Sequence, residues 1–175
     1  MRLPAELTDG AVRLRAWLPG DLDPLVRMGS DAENARRTRV PEPYTVDDAR
    51  RYIAQSSLEL SDGRESGYAL CEAEGPAVGS LGVRTELAHR RCELGYLLGP
   101  DGRGRGLMTR AVVLLTDWLL GPGRFARVAI QVATDNPASM GVAERAGFER
   151  EGILRSYHDL KGVRQDVVSF SRVVP

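Results

Sequence analysis

Apolar residues recur along the chain with two different periods, one typical of strands and one typical of helices. Residues 12–16 alternate apolar and polar side chains, and residues 127–133 are rich in β-branched side chains, so both segments predict strands. From Leu107 to Trp118 apolar residues recur every three or four positions, which predicts a helix with one face on the core. The glycine-proline-glycine sequence that begins at Gly121 ends this helix.

Capping and turn residues place the other boundaries. Thr45 followed by Asp48 resembles a capping box, and Asn136-Pro137 resembles a helix cap followed by proline at the first helical position. The predicted elements, in chain order, are a strand at 12–16, helices at 21–28 and 45–60, strands at 67–74, 78–86 and 92–98, a helix from 107 to about 120, a strand at 127–133, a helix from 136 to 147, and strands at 148–157 and 165–173. This order predicts one α+β domain over residues 1–175, with a central mixed, mostly antiparallel sheet of about seven strands and about four packed helices.

Composition narrows the functional classes. A chain of 175 residues with 42% hydrophobic and 27% charged residues has the size and balance of one globular domain. Because Lys plus Arg and Asp plus Glu both number 24, the chain has no basic excess of the kind that nucleic-acid-binding proteins carry. The two cysteines, Cys71 and Cys92, cannot build a disulfide framework or a four-ligand zinc site. With so few cysteines, no apolar signal segment at the N-terminus and no apolar run of about 18 residues, we expect a cytoplasmic protein without membrane contact. His89 and His158 lack metal-ligand spacing with any partner, so we also expect no metal.

The segment Gly99–Gly106 carries the strongest chemical signal. Its glycines at alternate positions allow positive φ angles and close approach of a ligand, and the amides before a helix N-terminus can hold an anion. Arg103 and Arg105 would add charge-assisted bonds to a phosphate. The P-loop pattern fails because Leu107 stands where lysine is required, and the Rossmann spacing also fails. The alternative is a glycine-rich connection with two solvated arginines.

The run from Glu93 to Ala111, ELGYLLGPDGRGRGLMTRA, resembles the acyl-CoA-binding motif of the GNAT superfamily of N-acyltransferases. Similar segments follow in the family's order at residues 136–139, 144–148, 151–155 and 162–166. Together they resemble the branch that includes the RimJ/RimL ribosomal-protein N-terminal acetyltransferases.

This resemblance implies acetyl-CoA as the acyl donor and a set of residues that bind it. The pantetheine arm would pair with the strand backbone, and the pyrophosphate would bind loop amides that lead into the helix. Asp101 departs from the family's usual Gln or Arg. The implied cofactor-binding residues are Tyr96, Leu97, Leu98, Arg103, Gly104, Arg105, Gly106, Leu107, Met108, Asn136 and Ser139. For Asn136 a plain helix cap is the alternative.

The resemblance also implies two catalytic residues. Glu93 corresponds to the glutamate often proposed as the general base; alternatively it is a strand carboxylate paired with Arg90 or Arg91. Ser139 corresponds to a serine near the sulfur, where it could donate to the departing thiolate; alternatively it only satisfies local backbone. Many superfamily members use a tyrosine as the acid, but that position is Ala143 here.

The sequence therefore predicts transfer of an acetyl group from acetyl-CoA to a primary amine, either a protein N-terminus or a small amine, by direct attack in a ternary complex. Residues 33–39 and the helix after Thr45 should form the acceptor wall, and family members suggest a homodimer. Alternatives are a succinyl-CoA-dependent enzyme, a non-catalytic acyl-CoA-binding or sensing domain, and an RNA-associated module. The last is disfavoured because no aromatic residues interrupt the arginine–glycine segment.

Overall fold

The computed structural model describes residues 2–56, 58–60 and 65–174. The strands are β1 (Glu6–Thr8), β2 (Val12–Arg15), β3 (Glu65–Glu72), β4 (Ala77–Glu86), β5 (Arg91–Leu98), β6 (Arg127–Ala133), β7 (Glu149–Leu160) and β8 (Val163–Val173). The α-helices are α1 (Leu22–Gly29), α2 (Ala32–Arg37), α3 (Val46–Gln55), α4 (Leu107–Leu120) and α5 (Pro137–Arg145). The strands form one sheet in the order β1-β2-β3-β4-β5-β6-β8-β7, in which β5 and β6 are parallel and the other neighbours are antiparallel.

The mixed sheet confirms the predicted α+β class, and the described residues form eight strands and five α-helices in place of about seven and four. The two additions, β1 and α2, have three and six residues and are too short to show a period of their own. The capping box at Thr45 is present, but the predicted helix over 45–60 ends at Gln55. Leu58 and Leu60 are instead buried in the core outside the helix, and Ser57 lies outside the described residues.

Each face of the sheet carries helices. Because strand side chains alternate between the faces, Tyr68 of β3 points into the main core with α4 and α5, whereas Ala69 packs in a smaller cluster with α1 and α3. We call these the α4 face and the α1 face. On α4, Leu114 and Trp118 are only partly buried, so the helix is rotated slightly from the predicted stripe. No helix among the described residues is long and apolar enough to cross a membrane.

The parallel pair at the centre of the sheet is incomplete. Its register covers residues 91–94 of β5 and 127–130 of β6, although β5 continues to Leu98 and β6 to Ala133. Beyond the paired segment β5 stays bonded to β4, and β6 stays bonded to β8. The two strands therefore diverge and leave a cleft in the middle of the sheet.

Candidate active site

The cleft between β5 and β6 encloses about 960 Å³. Most of the residues predicted for the site line it, namely Glu93, Tyr96, Leu97, Leu98, Arg103, Met108, Asn136 and Ser139. The other four are not part of the wall: Gly104, Arg105 and Gly106 continue the loop after Arg103, and Leu107 begins α4. The structure thus brings eight of the twelve predicted residues together around one cavity.

The side chains of Glu93 and Tyr96 lie on opposite faces of the sheet. Glu93 and Tyr96 are three residues apart on β5, and an odd separation on a strand places two side chains on opposite sides. Tyr96 packs against the main core on the α4 face, and Leu97, which shares its side with Glu93, packs in the α1-face cluster. Because the cleft passes through the sheet, one cavity reaches both side chains.

Glu93 is half-buried and forms no ion pair with the residues that the structure describes. The arginines considered as its partners are engaged elsewhere: Arg91 pairs with Glu86 at 2.7 Å, and the Arg90 guanidinium donates to the Arg124 carbonyl oxygen at 2.7 Å. Burial raises the pKa of the Glu93 carboxyl above its ordinary value, against a smaller opposite effect of the nearby Arg84. An unpaired carboxylate with a raised pKa is suited to accept a proton.

Ser139, in the first turn of α5, contacts Tyr96 through two hydrogen bonds. Asn136 caps the helix, as the sequence predicts, because its Oδ1 accepts from the Ser139 amide at 3.2 Å. The Ser139 hydroxyl donates to the Tyr96 hydroxyl oxygen at 2.9 Å, and the Tyr96 hydroxyl donates to the Ser139 carbonyl oxygen at 3.2 Å. Burial raises the pKa of Tyr96 to about 12. Sequence reasoning assigned Tyr96 a backbone role only and missed this hydroxyl.

The glycine loop adopts the conformation that its sequence suggests. Gly104 and Gly106 both have φ of +73°, and a Cβ atom at either would meet nothing within 4 Å. Gly102 differs because the space beside it is tight: a Cβ there would lie 3.2 Å from the Val78 carbonyl oxygen. Gly106 is the N-cap of α4 and has no side chain to accept from the first-turn N–H groups. Those groups are available to an anionic ligand.

The loop arginines pair with carboxylates of the protein. Arg105 pairs with Glu72, and Arg103 pairs with Asp31, whose carboxyl pKa it holds below the usual range. Arg103 also donates to the Leu98 carbonyl oxygen at 3.1 Å, which accepts in addition from Asn34 Nδ2 at 3.0 Å. Both guanidinium groups therefore have carboxylate partners, and the backbone amides of the loop are available to an anion.

The α1 face supplies the other wall of the cleft. The predicted wall is present, since side chains of residues 33–39 and of α3 line the cavity. A further part, which sequence reasoning missed, is the turn between β7 and β8. There Lys161 Nζ donates to the Ala35 carbonyl oxygen at 2.9 Å and pairs with Glu42 at 3.1 Å. This contact holds the β7–β8 turn against α2 and the segment after it.

His158, next to this turn, also lines the cavity. Burial lowers the pKa of its imidazole, and the charges of Arg39 and Arg84 lower it further. His158 is therefore neutral near pH 7. Within the described residues no group of three His, Cys, Asp or Glu side chains could hold a metal ion.

Residues 11–149 match the family model described as the acetyltransferase (GNAT) domain. The chain belongs to the GNAT family. It is an acyl-CoA-dependent N-acetyltransferase with the mixed sheet of GNAT proteins, and it resembles the RimJ/RimL branch of this family.

Two curated GNAT relatives and one solved structure illustrate the likeness. The chain is 30% identical over 131 residues to "Probable N-acetyltransferase YjcK" of Bacillus subtilis, covering 73% of this chain and 72% of that protein. It is 32% identical over 91 residues to the ribosomal-protein-serine acetyltransferase of Escherichia coli, covering 52% and 51%. The structure of RimL, a ribosomal L7/L12 α-N-protein acetyltransferase in complex with coenzyme A, superposes with a TM-score of 0.82 at 22% identity, covering 99% and 98%.

Proposed function

We propose that this GNAT enzyme transfers the acetyl group of acetyl-CoA to a primary amine by direct attack in a ternary complex, with a protein α-amino group as the preferred acceptor. The observation that carries this proposal is the cleft between the diverging strands. It gives one cavity access to an unpaired carboxylate on the α1 face and to a pair of hydroxyl groups on the α4 face.

The proposed position of acetyl-CoA follows the free edge of β5 and the glycine loop. The edge of β5 from Gly95 to Leu97 is not paired with β6, so its backbone can pair with the amides of a pantetheine arm. The pyrophosphate would then lie at the amides of Gly104 to Gly106 and the first turn of α4. Leu98 contributes less than the sequence suggests, because its carbonyl oxygen already accepts two hydrogen bonds. Asn136 combines its cap with a place on the cavity wall.

Glu93 acts as the general base, directly or through water. An α-amine with pKa about 8 costs roughly 1 kcal/mol to deprotonate at pH 7, whereas a lysine with pKa about 10.4 costs about 4–5 kcal/mol. The raised pKa of Glu93 reduces the difference between its pKa and that of either amine, but the carboxylate remains a weak base. The difference of about 3 kcal/mol favours an α-amine over a lysine side chain.

Ser139 stabilises the departing CoA thiolate by donating a hydrogen bond. A thiol has a pKa near 8.5, and an alcohol is a much weaker acid, so full proton transfer from serine to sulfur would be uphill. A hydrogen bond to a charged acceptor is nevertheless worth about 1.5–3 kcal/mol. The amine proton leaves through Glu93 to water, and the thiolate takes its proton from solvent after release.

The names of two relatives support a protein acceptor, whereas that of another, the spermidine N(1)-acetyltransferase of Escherichia coli, favours a small amine. The Escherichia coli relative acts on a ribosomal-protein serine, and the RimL structure is that of an α-N-protein acetyltransferase. A small amine as acceptor and a larger acyl donor such as succinyl-CoA are the variants that an activity panel would separate. The homodimer and the cytoplasmic location stay predictions.

The decisive test replaces Glu93 by glutamine and follows CoA thiol release with a peptide that has a free α-amine. We expect kcat at pH 7 to fall about tenfold, in line with the roughly 1 kcal/mol that deprotonating an α-amine costs, with the affinity for acetyl-CoA unchanged. The control is Glu6→Gln on β1, at the far edge of the sheet, which should behave as wild type. Unchanged turnover in Glu93→Gln across the pH range would remove Glu93 from the mechanism.

A further inference from the structure

We propose that the Tyr96 hydroxyl is a positioning residue for thioester cleavage, acting through Ser139 to strengthen the hydrogen bond to the departing CoA thiolate. This inference rests on the proposed acetyl transfer. It gives the tyrosine side chain a role that is separate from the backbone role of β5 in binding the pantetheine arm.

Tyr96 and Ser139 form a closed pair of contacts across 43 residues of sequence. One bond joins the two hydroxyl groups at 2.9 Å, and the other joins the Tyr96 hydroxyl to the Ser139 carbonyl oxygen at 3.2 Å. The Ser139 backbone is itself fixed by the Asn136 cap. The position of the serine hydroxyl at the cleft is thus determined from β5 and from the start of α5 together.

The arrangement lets the serine change partner while the tyrosine hydroxyl keeps a hydrogen bond. When the carbon–sulfur bond breaks, its electron pair goes to sulfur and the Ser139 O–H turns from the tyrosine oxygen to the thiolate. The Tyr96 O–H can then turn from the Ser139 carbonyl oxygen to the serine oxygen, 2.9 Å away. A hydroxyl that accepts one hydrogen bond becomes a better donor in another. No proton has to leave the tyrosine, whose burial keeps it protonated over the working pH range.

Ala143 is consistent with a hydroxyl that comes from β5 and not from α5. It is fully buried and carries no polar atom, so α5 offers no tyrosine at the position that many superfamily members use. The hydroxyl of Tyr96 reaches α5 from the neighbouring strand instead.

The test is a double-mutant cycle with Tyr96→Phe, Ser139→Ala and the combined variant, measuring kcat, the KM for acetyl-CoA and thermal stability. We expect Tyr96→Phe to lower kcat about tenfold, the size of one hydrogen bond, with the KM for acetyl-CoA within about twofold. The loss should be constant from pH 6 to pH 9. In the Ser139→Ala background the same substitution should change kcat less than about twofold, because the group through which the tyrosine acts is gone. Tyr157→Phe, on the exposed side of β7, is the matched control and should leave kcat unchanged.

Three results would overturn the inference. They are an unchanged kcat in Tyr96→Phe, an equal loss in both backgrounds, and a loss explained entirely by a raised KM for acetyl-CoA. If Ser139→Ala lowers kcat and Tyr96→Phe does not, the proposed function stands and the role of Tyr96 is wrong. If the wild-type protein acetylates no amine, the proposed function fails first.

Discussion

Gly106 offers a test of the anion-binding loop that depends on backbone conformation alone. It is the N-cap of α4, with φ of +73°, and a Cβ atom would meet nothing within 4 Å. Gly106→Ala therefore introduces no clash, and its effect comes from forcing an L-residue into the left-handed region. That conformation costs an L-residue about 1–2 kcal/mol.

The cost must appear in one of two measurable quantities. If the loop keeps its shape, the free energy of unfolding falls by about 1–2 kcal/mol, which lowers Tm by roughly 2–8 °C in a chain of this size. If the loop relaxes, the amides leave their positions, and the conformational free energy must be supplied when CoA binding restores them. The dissociation constant for CoA would then rise about 5–30-fold.

Calorimetric titration with CoA and thermal unfolding of the same samples separate the two cases. Gly10 is the matched control, because it has φ of +88°, equally open space for a Cβ atom, and a place in the turn between β1 and β2. Gly10→Ala should lose stability by a similar amount and bind CoA as wild type does. The reasoning is refuted if Gly106→Ala changes neither quantity, or if Gly10→Ala weakens CoA binding equally.

Three further predictions concern the Glu93 carboxyl, the Arg103–Asp31 pair and Lys161. Because burial raises the pKa of Glu93, kcat should fall on acidification with a midpoint above the usual glutamate value of about 4.3, and a midpoint at or below that value would contradict the assignment. Arg103→Gln should lower the stability measured by urea unfolding at pH 7, since Arg103 depresses the pKa of Asp31. That difference should shrink as the pH falls below about 3.9, the ordinary aspartate value, toward the lower pKa of Asp31 in the folded protein, whereas a difference independent of pH would exclude this cause. Lys161→Gln should increase amide exchange at the turn between β7 and β8 and raise the KM for the acceptor, while Lys161→Arg should retain most of the contact. Equal amide exchange in the wild type and both variants would show that Lys161 does not stabilise this turn.

Local chemistry made much of the fold predictable. The β-branched run of β6, the capping box at Thr45 and the cap at Asn136 lie where their residue types indicate, because each depends on neighbours in sequence. The positive φ angles of the glycine loop belong to the same class. By contrast β1 and α2, with three and six residues, are too short to show a period of their own.

The parts of the site that could not be predicted depend on strand register and on distant pairing. The divergence of β5 and β6 follows from where their hydrogen bonds stop, and periodicity contains no information on that. The sequence did not reveal that the two loop arginines pair with Asp31 and Glu72, which lie 72 and 33 residues away along the chain. The opposite sides of Glu93 and Tyr96 were readable from strand alternation, but the contact of Tyr96 with Ser139 was not.

The central claim is that this cleft catalyses acetyl transfer to an amine. The most direct measurement incubates the protein with acetyl-CoA and a peptide bearing a free α-amine, and counts released CoA and acetylated peptide together. The account predicts one CoA for each acetyl group gained by the peptide, and no release above background when the α-amine is blocked beforehand. Tight CoA binding without turnover on α-amines, lysine side chains or small primary amines would contradict it and indicate an acyl-CoA-binding domain.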